Sequence, residues 1–145
     1  MLFLSIHPRF VAKIFSGEKT IELRRRQPRG LTSEWVAIYA TTPEMQLRGI
    51  ARISEIRVDG VRDMWKHAKI HAAVTKKEYD SYFADSNQAV GIVLRDPMLF
   101  SKPVALDHLR KIWPQFQPPQ GFRYLNEEQV EDVQSLLPRR SWSGA

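Results

Sequence analysis

Short runs of apolar residues, many of them β-branched or aromatic, recur along the chain and predict a series of strands. The longest run contains Gly49, and its alternation shifts between Ile50 and Ile53, which indicates a bulge. Pro103 interrupts the last run, as is typical of an edge strand. Strands are expected at 2–6, 20–26, 35–40, 47–58, 89–94 and 99–106.

Apolar residues at helical spacing predict helices between these strands. Gly17 is placed to end the first helix, because glycine commonly occupies the position after a helix. Thr75 with Glu78, and Asn126 with Gln129, have the spacing of capping boxes that begin later helices. Strands interleaved with short helices indicate an α+β sheet domain, with a small curved barrel as one form. Helices are expected at 8–16, 61–73, 75–84 and 126–137.

The segment 17–26 combines a helix end, the start of a strand and an unusual number of charges. Because strand side chains alternate, Ile21 and Leu23 share one face and the charged residues share the other. A strand of this kind typically borders a core and a polar cleft, and an anionic ligand is the simplest reason for its charges. The alternative is a solvated salt bridge between strands, which contributes little stability. The polar face carries Thr20, Glu22, Arg24 and Arg26.

Composition narrows the function classes. The chain has 145 residues, which suits one domain, expected at 1–137 with a flexible tail at 138–145. That tail contains two arginines and Trp142, so it is either a phosphate-binding arm or a disordered end. The chain has no cysteine, which excludes disulfides, cysteine-ligated zinc and a cysteine nucleophile. A net charge of +6 favours polyanionic partners such as nucleic acid.

Membrane and metal functions are not indicated. The apolar N-terminus is short and lacks the features of a signal peptide, and no run is long enough to span a bilayer. We therefore expect a cytoplasmic protein with no membrane association. Asp63, His67 and His71 follow one helix face, but their spacing fits a solvated surface better than a zinc site. We expect neither a metal nor another cofactor.

Three short segments resemble the ASCH family of the PUA-like superfamily. Residues 16–24 are similar to its Gly-x-Lys-x-x-Glu-x-Arg signature, with Lys19, Glu22 and Arg24 at the charged positions. Residues 39–43 are similar to its Tyr-Ala-Ser-x-Pro element, and residues 118–125 to its Pro-Pro-Gln-Ser-Phe-Arg run. The resemblance implies a PUA-like pseudo-barrel of five to six mostly antiparallel strands, with short helices packed around it and a cleft on the signature strand.

Family members are thought to bind RNA or modified nucleosides in that cleft, and some are ribonucleases or amidohydrolases of acetylated cytidine. The amidohydrolase branch resembles this chain at Lys19 but carries a threonine nucleophile where this chain has Glu22. The nearest hydroxyl on the same strand face, that of Thr20, is two positions away. The resemblance therefore favours RNA or nucleoside binding, with hydrolysis as the alternative. A third hypothesis is a regulatory domain that senses a small metabolite.

The candidate residues have chemistry suited to a nucleic-acid ligand. Arg24 offers a planar fork for a phosphate or for a base edge, and Lys19 offers a compact positive charge. Glu22 can accept a hydrogen bond from an exocyclic amine, or a proton during hydrolysis. In the hydrolase alternative Lys19 and Glu22 are the catalytic pair. Arg25 ranks below Arg24 because it falls on the apolar side of the strand. The supporting ligand-binding candidates are His7, Thr20, Arg26, Tyr39, Thr41 and Gln120.

Overall fold

A computed structural model describes residues 1–137, in which five helices surround one six-stranded sheet. The strands follow the order β2-β5-β4-β3-β1-β6 across the sheet, and the pair β1 and β3 is parallel. The sheet curls into a half-barrel, which confirms the α+β pseudo-barrel. The strands are β1 (Leu2–Ile6), β2 (Ile21–Arg24), β3 (Trp35–Ala40), β4 (Gln46–Gly60), β5 (Gln88–Ala105) and β6 (Phe122–Tyr124).

The helices lie on both faces of the sheet. The first ends at Gly17, whose φ of 87° is in the left-handed region that glycine adopts without strain. Both capping boxes are formed, at Thr75 with Glu78 and at Asn126 with Gln129. The helices are α1 (Pro8–Ser16), α2 (Val61–His71), α3 (Lys76–Tyr82), α4 (Leu106–Ile112) and α5 (Glu127–Ser135).

The long hairpin of β4 and β5 is the main departure from the predicted elements. The runs at 89–94 and 99–106 belong to one strand, because β4 is long enough to pair from Gln46↔Ala105 to Gly60↔Gln88. Register shifts near Gly49 confirm the bulge in β4. A Cβ at Gly49 would lie 2.2 Å from the carbonyl oxygen of Met98, so only glycine fits this close approach. The short β6 and helix α4 were not predicted.

Three apolar clusters fix the sheet and the helices around it. Phe3 and Tyr39 pack with α4 and α5 on one face, and Leu4 and Ile38 pack with α1 on the other. Ile21 and its neighbours on β2 pack against α2 and α3. Each fully buried aliphatic or aromatic side chain contributes about 1.5–3 kcal/mol relative to exposure. These contacts hold β2 and α1 firmly at the border of the cleft.

The curl of the sheet brings its edge strand β2 close to β1, which is the neighbour of the other edge strand, β6. Arg24 Nη2 on β2 donates a hydrogen bond of 2.9 Å to the carbonyl oxygen of Ser5 on β1. The Ser5 amide in turn donates to the carbonyl oxygen of Gly121, 3.1 Å away, just before β6. The Arg24 side chain therefore bridges the gap between β2 and β1, which are not paired in the sheet. We call this gap the seam.

None of the helices within residues 1–137 has both the length and the apolar character needed to cross a membrane. The flexible tail and phosphate-binding arm predicted at 138–145 lie outside the described residues.

Candidate functional site

A cavity of about 400 Å³ opens at the seam, between the end of β1, α1, β2 and α3. Lys19, Glu22 and Arg24 line it together with His7 and Gln120, so the structure brings five of the sequence candidates to one place. Its remaining walls are mostly apolar or aromatic, and Phe10, Tyr79 and Tyr82 are among them. An enclosed apolar space with a few convergent polar groups is the usual form of a ligand site.

Lys19 is buried at the base of this cavity, with only 2% of its surface exposed. Its Nζ donates a 2.6 Å hydrogen bond to the carbonyl oxygen of Ala72, just past α2, and lies 3.4 Å from Glu22 Oε1. The ammonium also lies 4.7 Å from the ring centre of Phe10. Burial lowers the pKa of Lys19, although the Glu22 carboxylate partly opposes this shift. A buried lysine of this kind releases its proton more readily than a solvated one.

Glu22 joins the two cations of the cluster. Its Oε2 accepts a 2.7 Å hydrogen bond from Arg24 Nη2, while Oε1 faces Lys19. Glu22 is 7% exposed, so this arrangement is a buried network and not the solvated salt bridge considered above. One carboxylate between two cations leaves an excess of one positive charge in the cavity. An anionic ligand would balance that charge.

Two buried polar atoms at the seam remain without a partner among the described residues. They are Arg24 Nε and Ser5 Oγ. Leaving a buried polar atom unpaired costs about 1–3 kcal/mol, so such atoms commonly indicate a bound ligand or water. Both belong to residues that line the cavity, which places an unused donor and a hydroxyl beside the charged cluster.

The rim of the cavity is held by an ion pair between α1 and α3. Arg9 Nη2 donates a hydrogen bond to Glu78 Oε2. The other oxygen of Glu78 accepts from the Thr75 amide at 2.9 Å, as part of the capping box of α3. The Thr75 amide, followed by Arg9, lowers the pKa of Glu78 to about 2. The carboxylate therefore stays charged across the physiological range and ties the two helices together.

Glu78→Gln should lower stability in a pH-dependent manner. The folded-state pKa of about 2 lies below the ordinary value of 4.5, so the stabilisation is present above pH 4.5. It should be lost as the pH falls from 4.5 toward 2, where the folded state also takes up the proton. The difference in melting temperature between wild type and Glu78→Gln should accordingly narrow over that window. A difference that stays constant with pH would contradict this role for the charge.

Four sequence candidates do not line this cavity: Tyr39, Thr41, Thr20 and Arg26. Tyr39 is buried in the core against Phe3, with 5.5 Å between ring centres, and burial raises its pKa. The Thr41 amide donates to the Ile6 carbonyl oxygen, and its side chain is not part of the cavity wall. The Thr20 amide donates a hydrogen bond to the carbonyl oxygen of His71 at the end of α2, and the Thr20 carbonyl oxygen accepts one from the Leu94 amide on β5. Lys19 lies before β2, so strand alternation does not apply to it. The Lys19 side chain lines the cavity, whereas that of Thr20 does not.

Several cavity residues were missed or ranked low by sequence reasoning. Ser5 lines the cavity, and it is the only polar residue in the apolar run 2–6, a signal that was available. Arg25 also lines it, because β2 ends at Arg24 and alternation no longer applies. Its guanidinium lies 4.5 Å from the ring centre of Tyr82. Arg26 lines an adjoining cavity.

Within residues 1–137 no group of three or more His, Asp or Glu side chains is arranged to hold a metal ion. His67 Nε2 lies 2.9 Å from Arg57 Nη1.

Comparisons with known proteins establish the family. No protein-family model matches the chain. The chain is 35% identical over 133 residues to an ASCH domain-containing ribonuclease of Zymomonas mobilis, covering 92% of this chain and 89% of that protein. A crystal structure of ASCH from Zymomonas mobilis superposes with a TM-score of 0.87 at 34% identity, covering 93% of this chain and 94% of the other. The N-terminal domain of Staphylothermus marinus McrB shares the fold at 13% identity, with a TM-score of 0.59 and 92% of each chain covered. The chain therefore belongs to the ASCH family.

Proposed function

We propose that this protein binds single-stranded RNA in the cleft at the seam and hydrolyses it there. The observation that carries the proposal is the cluster of Lys19, Glu22 and Arg24, which lines the cavity and has one positive charge in excess. A phosphodiester supplies the missing negative charge. The Zymomonas relative named a ribonuclease supports the same chemistry.

Each residue of the cluster has a role in this proposal. Arg24 and Lys19 bind the non-bridging oxygens of the phosphodiester and stabilise the charge that develops on them. Glu22 accepts a proton from the attacking water while the oxygen of that water forms a bond to phosphorus. Lys19, whose pKa burial lowers, gives a proton to the oxygen that leaves as the second bond to phosphorus breaks.

The shape of the cleft supports a single strand. The cavity of about 400 Å³ has the size of one small ligand group, and its walls include Phe10 and Tyr82. An unpaired base can stack on rings of this kind, whereas a base within a duplex cannot leave its partner without cost. His7 and Gln120 at the rim can donate and accept hydrogen bonds to the base or sugar.

Hydrolysis of acetylated cytidine is the weaker alternative. The threonine of that branch is replaced by Glu22, and the Thr20 side chain is not part of the cavity wall. Ser5 supplies the hydroxyl that does line the cavity, but no carboxylate or lysine is hydrogen-bonded to its Oγ among the described residues. The cleft thus lacks an activated nucleophile for that reaction.

The decisive experiment incubates the purified protein with end-labelled single-stranded RNA, the matching duplex, DNA of the same sequence, and acetylated cytidine. Reactions run in parallel with a divalent cation and with a chelator. We expect cleavage of single-stranded RNA, with binding that weakens as salt rises from roughly 50 to 200 mM because phosphate contacts release counterions. Failure to bind or cleave RNA at low salt would overturn the proposal. Turnover of acetylated cytidine alone would replace it with the amidohydrolase.

A further inference from the structure

A second cavity, of about 630 Å³, adjoins the first along the end of β2. The two cavities share Arg24, Arg25, Tyr82 and Gln120 as walls. They therefore lie side by side at the seam, close enough for one extended ligand to contact both.

The two cavities differ in charge. The first is lined by Glu22 and Glu78 as well as by cations. The second is lined by Arg24, Arg25 and Arg26, and none of the described residues around it is acidic. Arg24 is paired with Glu22 of the first cavity, but Arg25 and Arg26 face no carboxylate among the residues that line the second. Such a concave surface is suited to a phosphate, which arginine binds through paired hydrogen bonds.

The arginines of the second cavity are oriented and accessible. Arg25 lies over the Tyr82 ring, which restricts its side chain, and both Arg25 and Arg26 are exposed to solvent. Gly121 on the opposite wall stands where the resembling ASCH run has serine, and a Cβ there would lie 3.8 Å from Arg24 Nη1. The absence of that side chain leaves the Arg24 guanidinium open toward the second cavity.

We propose that the second cavity is a subsite for the phosphate next to the one that is cleaved. This inference rests on the proposed function and specifies its preferred substrate: an RNA strand with at least two consecutive phosphates, which is cleaved more efficiently than a lone phosphodiester. Lys19, Glu22 and Arg24 act on the first phosphate, and Arg25 and Arg26 hold its neighbour. Arg25 and Arg26 are positioning residues, because they do not touch the reacting atoms.

The test compares dinucleotides that have one internal phosphate with the same dinucleotides carrying an additional phosphate at the 5′ or the 3′ end. With the wild-type protein, the additional phosphate at one of the two ends should raise kcat/KM about tenfold or more, chiefly through a lower KM. In Arg25→Ala/Arg26→Ala that advantage should disappear, so that the ratio of kcat/KM with and without the extra phosphate falls to about one. Arg26→Ala alone, at an exposed position that lines only the second cavity, should lose part of the advantage.

Arg62→Ala is the matched control, since Arg62 is an exposed arginine on α2 that lines neither cavity. It should keep the full advantage of the extra phosphate. If the extra phosphate gives no advantage in the wild type, or if the advantage survives in Arg25→Ala/Arg26→Ala, the subsite is overturned while the proposed ribonuclease stands. If the wild type cleaves no RNA of any length, the proposed function fails and the subsite fails with it.

Discussion

Lys19→Met should reduce RNA cleavage by about 10²–10⁴-fold, the usual contribution of a positioned acid or base, while the protein stays folded. Methionine keeps the length and the apolar stem of lysine but removes its charge and its proton. Glu22 retains Arg24 at 2.7 Å, so no buried carboxylate is left without a partner. The Ala72 carbonyl oxygen loses the donor that Lys19 supplied, so the free energy of unfolding at neutral pH should fall by about 1–3 kcal/mol. Cleavage of labelled single-stranded RNA and urea unfolding measure the two quantities.

Lys66→Met is the matched control, because Lys66 is an exposed lysine on α2, away from the cleft. It should cleave RNA at the wild-type rate.

The pH dependence of stability gives a further readout. The folded-state pKa of Lys19 lies below 10.5, so near that pH Lys19 binds more protons in the unfolded chain than in the folded protein. The free energy of unfolding of the wild type should therefore rise as the pH approaches 10.5. Lys19→Met should lack that gain, and a variant that keeps both the gain and the activity would refute the role of Lys19.

Glu22→Gln should cost about 3–5 kcal/mol of stability, because it removes the shared partner of two buried cations. The glutamine oxygen can still accept one hydrogen bond, but Lys19 and Arg24 lose their counter-charge and otherwise contact only the carbonyl oxygens of Ala72 and Ser5. Glutamine has the same shape as glutamate, so the loss reports the charge and not the packing. Urea unfolding followed by tryptophan fluorescence measures it.

The double variant Lys19→Met/Glu22→Gln separates this account from a general loss of structure. It has one buried cation where Glu22→Gln has two, so it should recover part of the lost stability. If Glu22→Gln is as stable as the wild type, solvent already balances the charges of the two cations. The cluster would then not create a binding site for an anion.

Much of the fold follows from local pattern. The runs at 2–6 and 35–40 are strands with the predicted limits, and Gly17 ends α1 as expected. These elements depend on residues that are close in the chain. The joining of 89–94 and 99–106 into β5 depends instead on the length of β4, a partner some forty positions away, which no local signal contains.

The candidate site is likewise predicted in part by local sequence and decided in part by contacts between distant segments. Alternation along β2 places Glu22 and Arg24 on one face, and the ASCH resemblance adds Lys19, which precedes the strand. Neither indicates that Lys19 is buried against the Ala72 carbonyl oxygen, since that contact spans 53 positions. Tyr39 shows a second contribution of tertiary structure: its place in the motif suggests a ligand contact, and strand pairing places its side chain in the core.

The order of apolar and charged residues is sufficient to predict an α+β sheet, its principal strands and one charged strand that borders a cleft. Those features depend on interactions over a few residues, such as alternation, capping and the conformation of glycine. The curling of the sheet brings β2 to β1, and it decides that Ser5, Arg25 and Tyr82 join the charged strand. It also leaves the donor of Arg24 Nε buried without a partner among the described residues. These properties arise from contacts between distant segments, because the free energy that fixes them is gained only when the whole core packs.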